Sequence, residues 1–150
     1  MDMILWRHAE AEDGQPDDQR GLTPKGEKQA AAMAAWLGPR LPDDTRSMVS
    51  PASRSQDTAK ALTKDFVTAP EVGVGASAGS VLSATGWPRA GGAVLVVGHQ
   101  PALGEVAALL LSGTEGTWSL KKGAVWWFTY RIREEQAETV LRLAISPEFL

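Results

Sequence analysis

His8 and His99 are the only histidines among 150 residues. Each follows an apolar run: Met3-Ile4-Leu5-Trp6 leads to Arg7-His8, and Val94-Leu95-Val96-Val97-Gly98 leads to His99. Short apolar runs bounded by polar residues read as buried strands. Each strand then delivers an imidazole at its C-terminal end. An imidazole can act as a nucleophile or carry a proton near neutral pH, and the guanidinium of Arg7 beside it suits an anion. A lone histidine after a strand is more often a satisfied polar residue at the edge of a core. That reading weakens when the only two histidines occupy equivalent places on two strands.

A third cation joins them. Ser50-Pro51 reads as the capped start of a helix with proline at its first position, which puts Arg54 one turn in. A helix N-terminus favours an anion, and a guanidinium adds two-pronged recognition of phosphate oxygens. Alone, Arg54 would be read as a surface arginine.

The elements that position these residues alternate. After His8, residues 9–21 form a polar loop. Thr23 caps and Pro24 opens a helix that runs to Leu37 and stops at Gly38-Pro39. Ser47-Met48-Val49 is a short strand, and Ala59, Leu62 and Phe66 of the following helix should face the sheet. Residues 67–74 hold a short strand, and Ser80 to Thr85 a short helix. The strand ending at His99 is followed by a helix starting at Gln100-Pro101, with Leu103, Val106, Ala107 and Leu110 on one face. Residues 124–132 and 139–145 read as an antiparallel hairpin around a polar turn, Arg133 to Glu138. Trp126 and Trp127 fall on its opposite faces. Alternating strands and helices imply a mainly parallel sheet covered on both sides, with ligands bound beyond the strand C-termini.

Composition narrows the function. The chain is 43% hydrophobic and 22% charged with a net charge of −3. This fits one globular domain over residues 1–150 and gives no sign of a nucleic-acid partner. Without cysteine there is no thiolate nucleophile, disulfide or thiolate metal site. No stretch could span a bilayer, and no secretory leader opens the chain, so a cytoplasmic location is expected.

Four motifs occur in order: Arg7-His8-Ala9, Leu22-Thr23-Pro24-Lys25-Gly26, Ser50 to Thr58, and Gly98-His99-Gln100-Pro101. Together they resemble the histidine phosphatase superfamily, and in particular its SixA-like phosphohistidine phosphatase branch. The resemblance implies a phosphoglycerate mutase-like three-layer α/β/α sandwich without a large cap insertion. By the same resemblance His8 is the nucleophile that becomes phosphorylated. Arg7 and Arg54 bind phosphate, and His99 contacts the phosphoryl group. Arg20 matches less well as a further basic contact. Phosphoryl transfer needs an in-line nucleophile and positive charge around three oxygens. A neutral His8, two guanidiniums and a protonated His99 would supply both, with no metal or other cofactor. The run His8-Ala9-Glu10-Ala11-Glu12 resembles a metal-ligand cluster only superficially, because Arg7 would repel a cation.

Larger members of the superfamily carry an acidic proton donor after the third strand. Here Glu71 is the only carboxylate in that region, and it is not assigned to the role. An alkoxide leaving group needs a general acid, whereas an imidazole, with a pKa of about 6.5, can depart without one. The expected substrate is therefore a phosphorylated protein bearing phosphohistidine. A small-molecule phosphomonoesterase and a phosphate-binding module without turnover are the alternatives.

Overall fold

The computed structural model describes residues 1–150. Six strands form one sheet: β1 (Asp2–Arg7), β2 (Thr45–Val49), β3 (Val67–Thr68), β4 (Ala93–Gly98), β5 (Val125–Arg133) and β6 (Gln136–Ile145). Their spatial order is β3-β2-β4-β1-β5-β6. The first four strands are parallel; β5 pairs antiparallel with β1, and β6 antiparallel with β5. The crossovers are α1 (Pro24–Leu37), α2 (Ser53–Lys60), α3 (Ala78–Thr85) and α4 (Ala102–Ser112).

Strand alternation sorts the core into two layers. Met3, Leu5, Val94 and Val96 pack with Val81 of α3 and Leu103 and Val106 of α4. Ile4, Trp6, Leu95 and Val97 face the other way, onto Met33 and Leu37 of α1 and Ala59 of α2. Each such side chain contributes about 1.5–3 kcal/mol when fully buried. The result is the expected three-layer α/β/α sandwich with a mainly parallel sheet. Trp126 and Trp127 do lie on opposite faces, one against each layer.

Three local expectations are corrected. Helix α2 begins at Ser53 with Ala52 as an N-cap that makes no side-chain cap bond, so Ser50-Pro51 is the preceding turn. It also ends at Lys60, so Leu62 and Phe66 reach the core from the connection beyond it. Strand β3 has two residues only; Pro70, with no amide to donate, opens a 3-10 turn over Pro70–Val72. The hairpin turn is tighter than its composition suggests. Glu134 and Glu135 alone make it, both at positive φ (50° and 66°), the geometry that matches the twist of paired strands.

The Leu22-to-Gly26 motif has a structural reason. Thr23 caps α1 by accepting from the Gly26 amide at 2.9 Å, and its own amide donates to the Glu10 carbonyl at 3.0 Å. Gln29, one turn on, accepts from the Glu10 amide at 3.0 Å. The start of α1 therefore clamps the segment that follows His8. A Cβ on Gly26 would lie 1.9 Å from the Glu10 carbonyl oxygen, so this approach requires glycine. Gly26→Ala gains about 1 kcal/mol in helix propensity, yet overpacking against backbone costs about 1–3 kcal/mol. The variant should melt several degrees below wild type and lose activity through displacement of His8. Exposed Lys28→Ala on the same helix should do neither in parallel thermal-melt and activity assays.

Candidate active site

The two histidines meet because β1 and β4 are parallel neighbours, with Arg7 in register with Gly98. The next residue on each strand is a histidine, and their ring centroids are 5.2 Å apart. Strand β4 inserts between β2 and β1, so the chain order reverses here, where a sheet of this type opens a crevice. A cavity of about 310 Å³ lies over the strand ends. Its walls include Arg7, His8, Arg20, Arg54, His99 and Lys122. All four residues singled out from the sequence, and the weaker Arg20, therefore share one cavity.

His8 is held as a neutral imidazole with a defined tautomer. Its Nδ1 lies 2.7 Å from the Ala9 carbonyl. A carbonyl only accepts, so Nδ1 carries the proton and Nε2 keeps its lone pair. Burial lowers its pKa from 6.5 to about 3; the bond to Ala9 opposes that, and the charges of His99, Arg54 and Arg7 add to it. The loop carrying His8 is fastened to α2. The Ala9 amide donates to Thr58 Oγ1 at 3.0 Å, and that hydroxyl donates to the Arg54 carbonyl at 2.7 Å.

The two arginines present unmatched donors. Arg7 donates from Nη1 to the Leu120 carbonyl at 2.7 Å. Arg54, only 4% exposed, donates from Nη1 to the Asp17 carbonyl at 2.9 Å and from Nη2 to Asp17 Oδ2 at 3.2 Å. In both, Nε is buried without a partner. A buried unpaired donor on a cation is costly, and an anion with several acceptor oxygens would relieve both at once. Asp17 also accepts from Arg20 Nε at 3.1 Å, and the two guanidiniums hold its carboxyl below the usual carboxylate range.

The charge of His99 at rest is set by packing. Burial, and then the charge of Arg54, lower its pKa from 6.5 to about 4, with Asp17 opposing. At pH 7 and without a ligand it is neutral, not protonated. A dianion in the cavity would supply the opposite charge that raises it again. Its Nε2 lies 2.7 Å from Ser50 Oγ, and Ser55 Oγ is 3.5 Å away. Ser50 also accepts from the Ala52 amide at 3.2 Å. The hydroxyl expected to cap α2 thus positions a histidine instead.

Several residues of the site escaped the sequence reading. Asp17 and Lys122 lie outside every motif, and Ser50, Ser55 and Thr58 lie within the Ser50-to-Thr58 motif without a site role read for them. Two signals were available. Arg54 and Thr58 stand four apart on a short helix, one face of which is buried although polar. Asp17 and Arg20 stand three apart and pair within one turn. Glu71, left unassigned, lies in the Pro70–Val72 turn and lines a different cavity with Met48 and Val67. Glu10 takes the Thr23 hydroxyl at 2.8 Å and does not join His8 as a ligand pair. No helix is long and apolar enough to cross a membrane.

The depressed histidine pKa values set a pH dependence. In the unfolded chain both imidazoles protonate near pH 6.5, whereas the native ones stay neutral down to about pH 4 and 3. The native state binds fewer protons across that window, so stability falls as pH falls. The slope is up to about 1.4 kcal/mol per pH unit for each histidine. Denaturant midpoints measured at pH 7 and 5 should drop for wild type and drop distinctly less for a His8→Asn/His99→Asn double variant. Equal slopes would contradict the buried neutral state.

Known proteins resemble this chain in sequence and in fold. Residues 3–72 match the model of the histidine phosphatase superfamily (branch 1). Uncharacterized protein Rv1276c of Mycobacterium tuberculosis is 34% identical over 120 residues, covering 73% of each chain. Among solved structures, the protein histidine phosphatase SixA complexed with tungstate superposes with a TM-score of 0.82 at 24% identity, covering 99% of both chains. A phosphoserine phosphatase mutant from Entamoeba histolytica, in complex with phosphoserine, gives a TM-score of 0.67 at 19% identity, covering 99% of this chain and 98% of that one. The fold is thus SixA-like and phosphoglycerate mutase-like, and the chain belongs to the histidine phosphatase superfamily.

Proposed function

We propose that the protein is a metal-independent phosphatase that works through phospho-His8 and acts on phosphohistidine in another protein. One observation carries the reading: the free Nε2 lone pair of His8 shares a cavity with two arginines whose buried Nε donors lack acceptors. Nε2 attacks phosphorus as the bond to the substrate imidazole breaks, and that imidazole takes the electron pair. It departs neutral when its other nitrogen already bears a proton. Water then attacks phospho-His8, the new P–O bond replaces the P–N bond, the electron pair returns to Nε2, and inorganic phosphate leaves as the dihydrogen anion with both protons of the water. Arg7 and Arg54 hold the equatorial oxygens in both steps. His99, with Ser50 and Ser55 at its Nε2, contacts the same group and gains a proton as the dianion binds.

The leaving group follows from the carboxylates. Asp17 is ionised between two guanidiniums and cannot serve as an acid at neutral pH. Glu71 lies elsewhere. Asp13 also lines the cavity, and a small-molecule phosphomonoesterase would use it as the proton donor. A binding module without turnover has no use for an oriented, unprotonated Nε2. A cytoplasmic workplace, where protein phosphorylation is driven, belongs to the same reading.

Peptides bearing phosphohistidine, phosphoserine or phosphotyrosine separate these readings. Phosphohistidine should be hydrolysed faster than phosphoserine by on the order of 10²-fold or more, the usual worth of a general acid that the ester lacks. His8→Ala should abolish turnover and keep phosphate binding, and Arg54→Ala should lower kcat/KM by about 10²–10³-fold. Turnover of alkyl phosphates that exceeds phosphohistidine and collapses in Asp13→Asn would favour the phosphomonoesterase.

A further inference from the structure

A second cavity of about 440 Å³ adjoins the first. The two share Arg7 and Lys122 as a common wall. The second has no hydrophobic lining residue and adds Lys25, Lys121, Glu10 and Glu148. Its charges are not equally committed. Glu148, carried on the last turn of the chain, pairs with Lys121 at 2.7 Å. Glu10 accepts from the Thr23 hydroxyl and keeps its charge, so two carboxylates stand against Arg7 and three lysines. Lys25 and Lys122 take part in none of the protein's five ion pairs. Two free ammonium groups thus flank a polar hollow whose other wall is a phosphate-binding arginine. The Lys121–Glu148 pair is a lysine–carboxylate contact already formed within the same lining.

We propose that this cavity is a subsite for a carboxylate of the substrate polypeptide, held by Lys25 and Lys122 while the phosphoryl group occupies the neighbouring cavity. The protein then selects phosphorylated segments that carry Asp or Glu within two residues of the phosphorylated position. This deepens the phosphatase reading and rests on it. The selecting residues come from distant parts of the chain: Lys25 from the first turn of α1, and Lys122 from the loop before β5. Lys25 lines only the second cavity, which makes it the clean probe.

Matched phosphohistidine peptides with Glu, Ala or Lys flanking the phosphorylated residue test the proposal. The Glu peptide should exceed the Ala peptide in kcat/KM by roughly three- to tenfold, mainly through KM, because exposed ion pairs are individually weak. The preference should shrink at high salt. Lys25→Ala should reduce it, and Lys25→Glu should invert it in favour of the Lys peptide with turnover of the Ala peptide unchanged. A second pair of substrates, aryl phosphates with and without a carboxylate on a flexible arm, reads the subsite whatever the leaving group. Preference for the carboxylate arm that depends on Lys25, with phosphohistidine peptides inert, would keep the subsite and sink the phosphohistidine reading. Equal rates within both pairs, or a preference that survives Lys25→Glu, would overturn the subsite itself.

Discussion

Arg7 and Arg54 each bury an Nε that has no acceptor, and the site is arranged around that cost. A buried charged donor without an acceptor works against folding. The protein offsets part of it. Leu120 takes one Arg7 nitrogen, and Asp17 takes two from Arg54. Both arginines line the cavity. The same concentration of positive charge, together with burial, keeps His8 and His99 neutral. Both imidazoles are therefore unprotonated at neutral pH, and positive charge is already in place beside them.

Holding such a site requires rigid support, and it comes from backbone contacts more than from side-chain bulk. Gly26 lets α1 close on the Glu10 carbonyl, two residues past His8. Gly104 plays the matching part on the other side of the sheet. A Cβ there would sit 1.7 Å from the Trp118 carbonyl, which also accepts from the Gln100 side-chain amide at 2.8 Å. Gln100 follows His99, and the Trp118 segment continues to Leu120, whose carbonyl holds Arg7. One chain of contacts therefore ties the residue after one histidine to the arginine before the other.

Charge is distributed unevenly. The protein carries a net charge of −3, yet six of its 15 Lys and Arg residues line the two adjoining cavities. An acidic body with a basic mouth repels anions in general and draws them at one place, which helps both encounter rate and orientation. Lys122 belongs to both hollows, so the field over one cavity and the field over its neighbour are one.

The sequence by itself determined the layers of the fold and the strand ends that carry chemistry. Apolar runs of strand length, breaks at Gly and Pro, and two histidines in equivalent places are local signals, and local signals survive in a one-dimensional reading. It could not show that β4 inserts beside β1, since pairing between residues more than ninety apart leaves no mark on either strand. Nor could it show that Ser50 turns from α2 toward His99, that Asp17 reaches Arg54, or that Lys25 and Lys122 share a hollow. The resting charge of His99 is equally hidden from a one-dimensional reading: its pKa depends on burial and on Arg54, both products of packing. Tertiary structure decided which polar groups lost their water, and in this site that loss sets the chemistry.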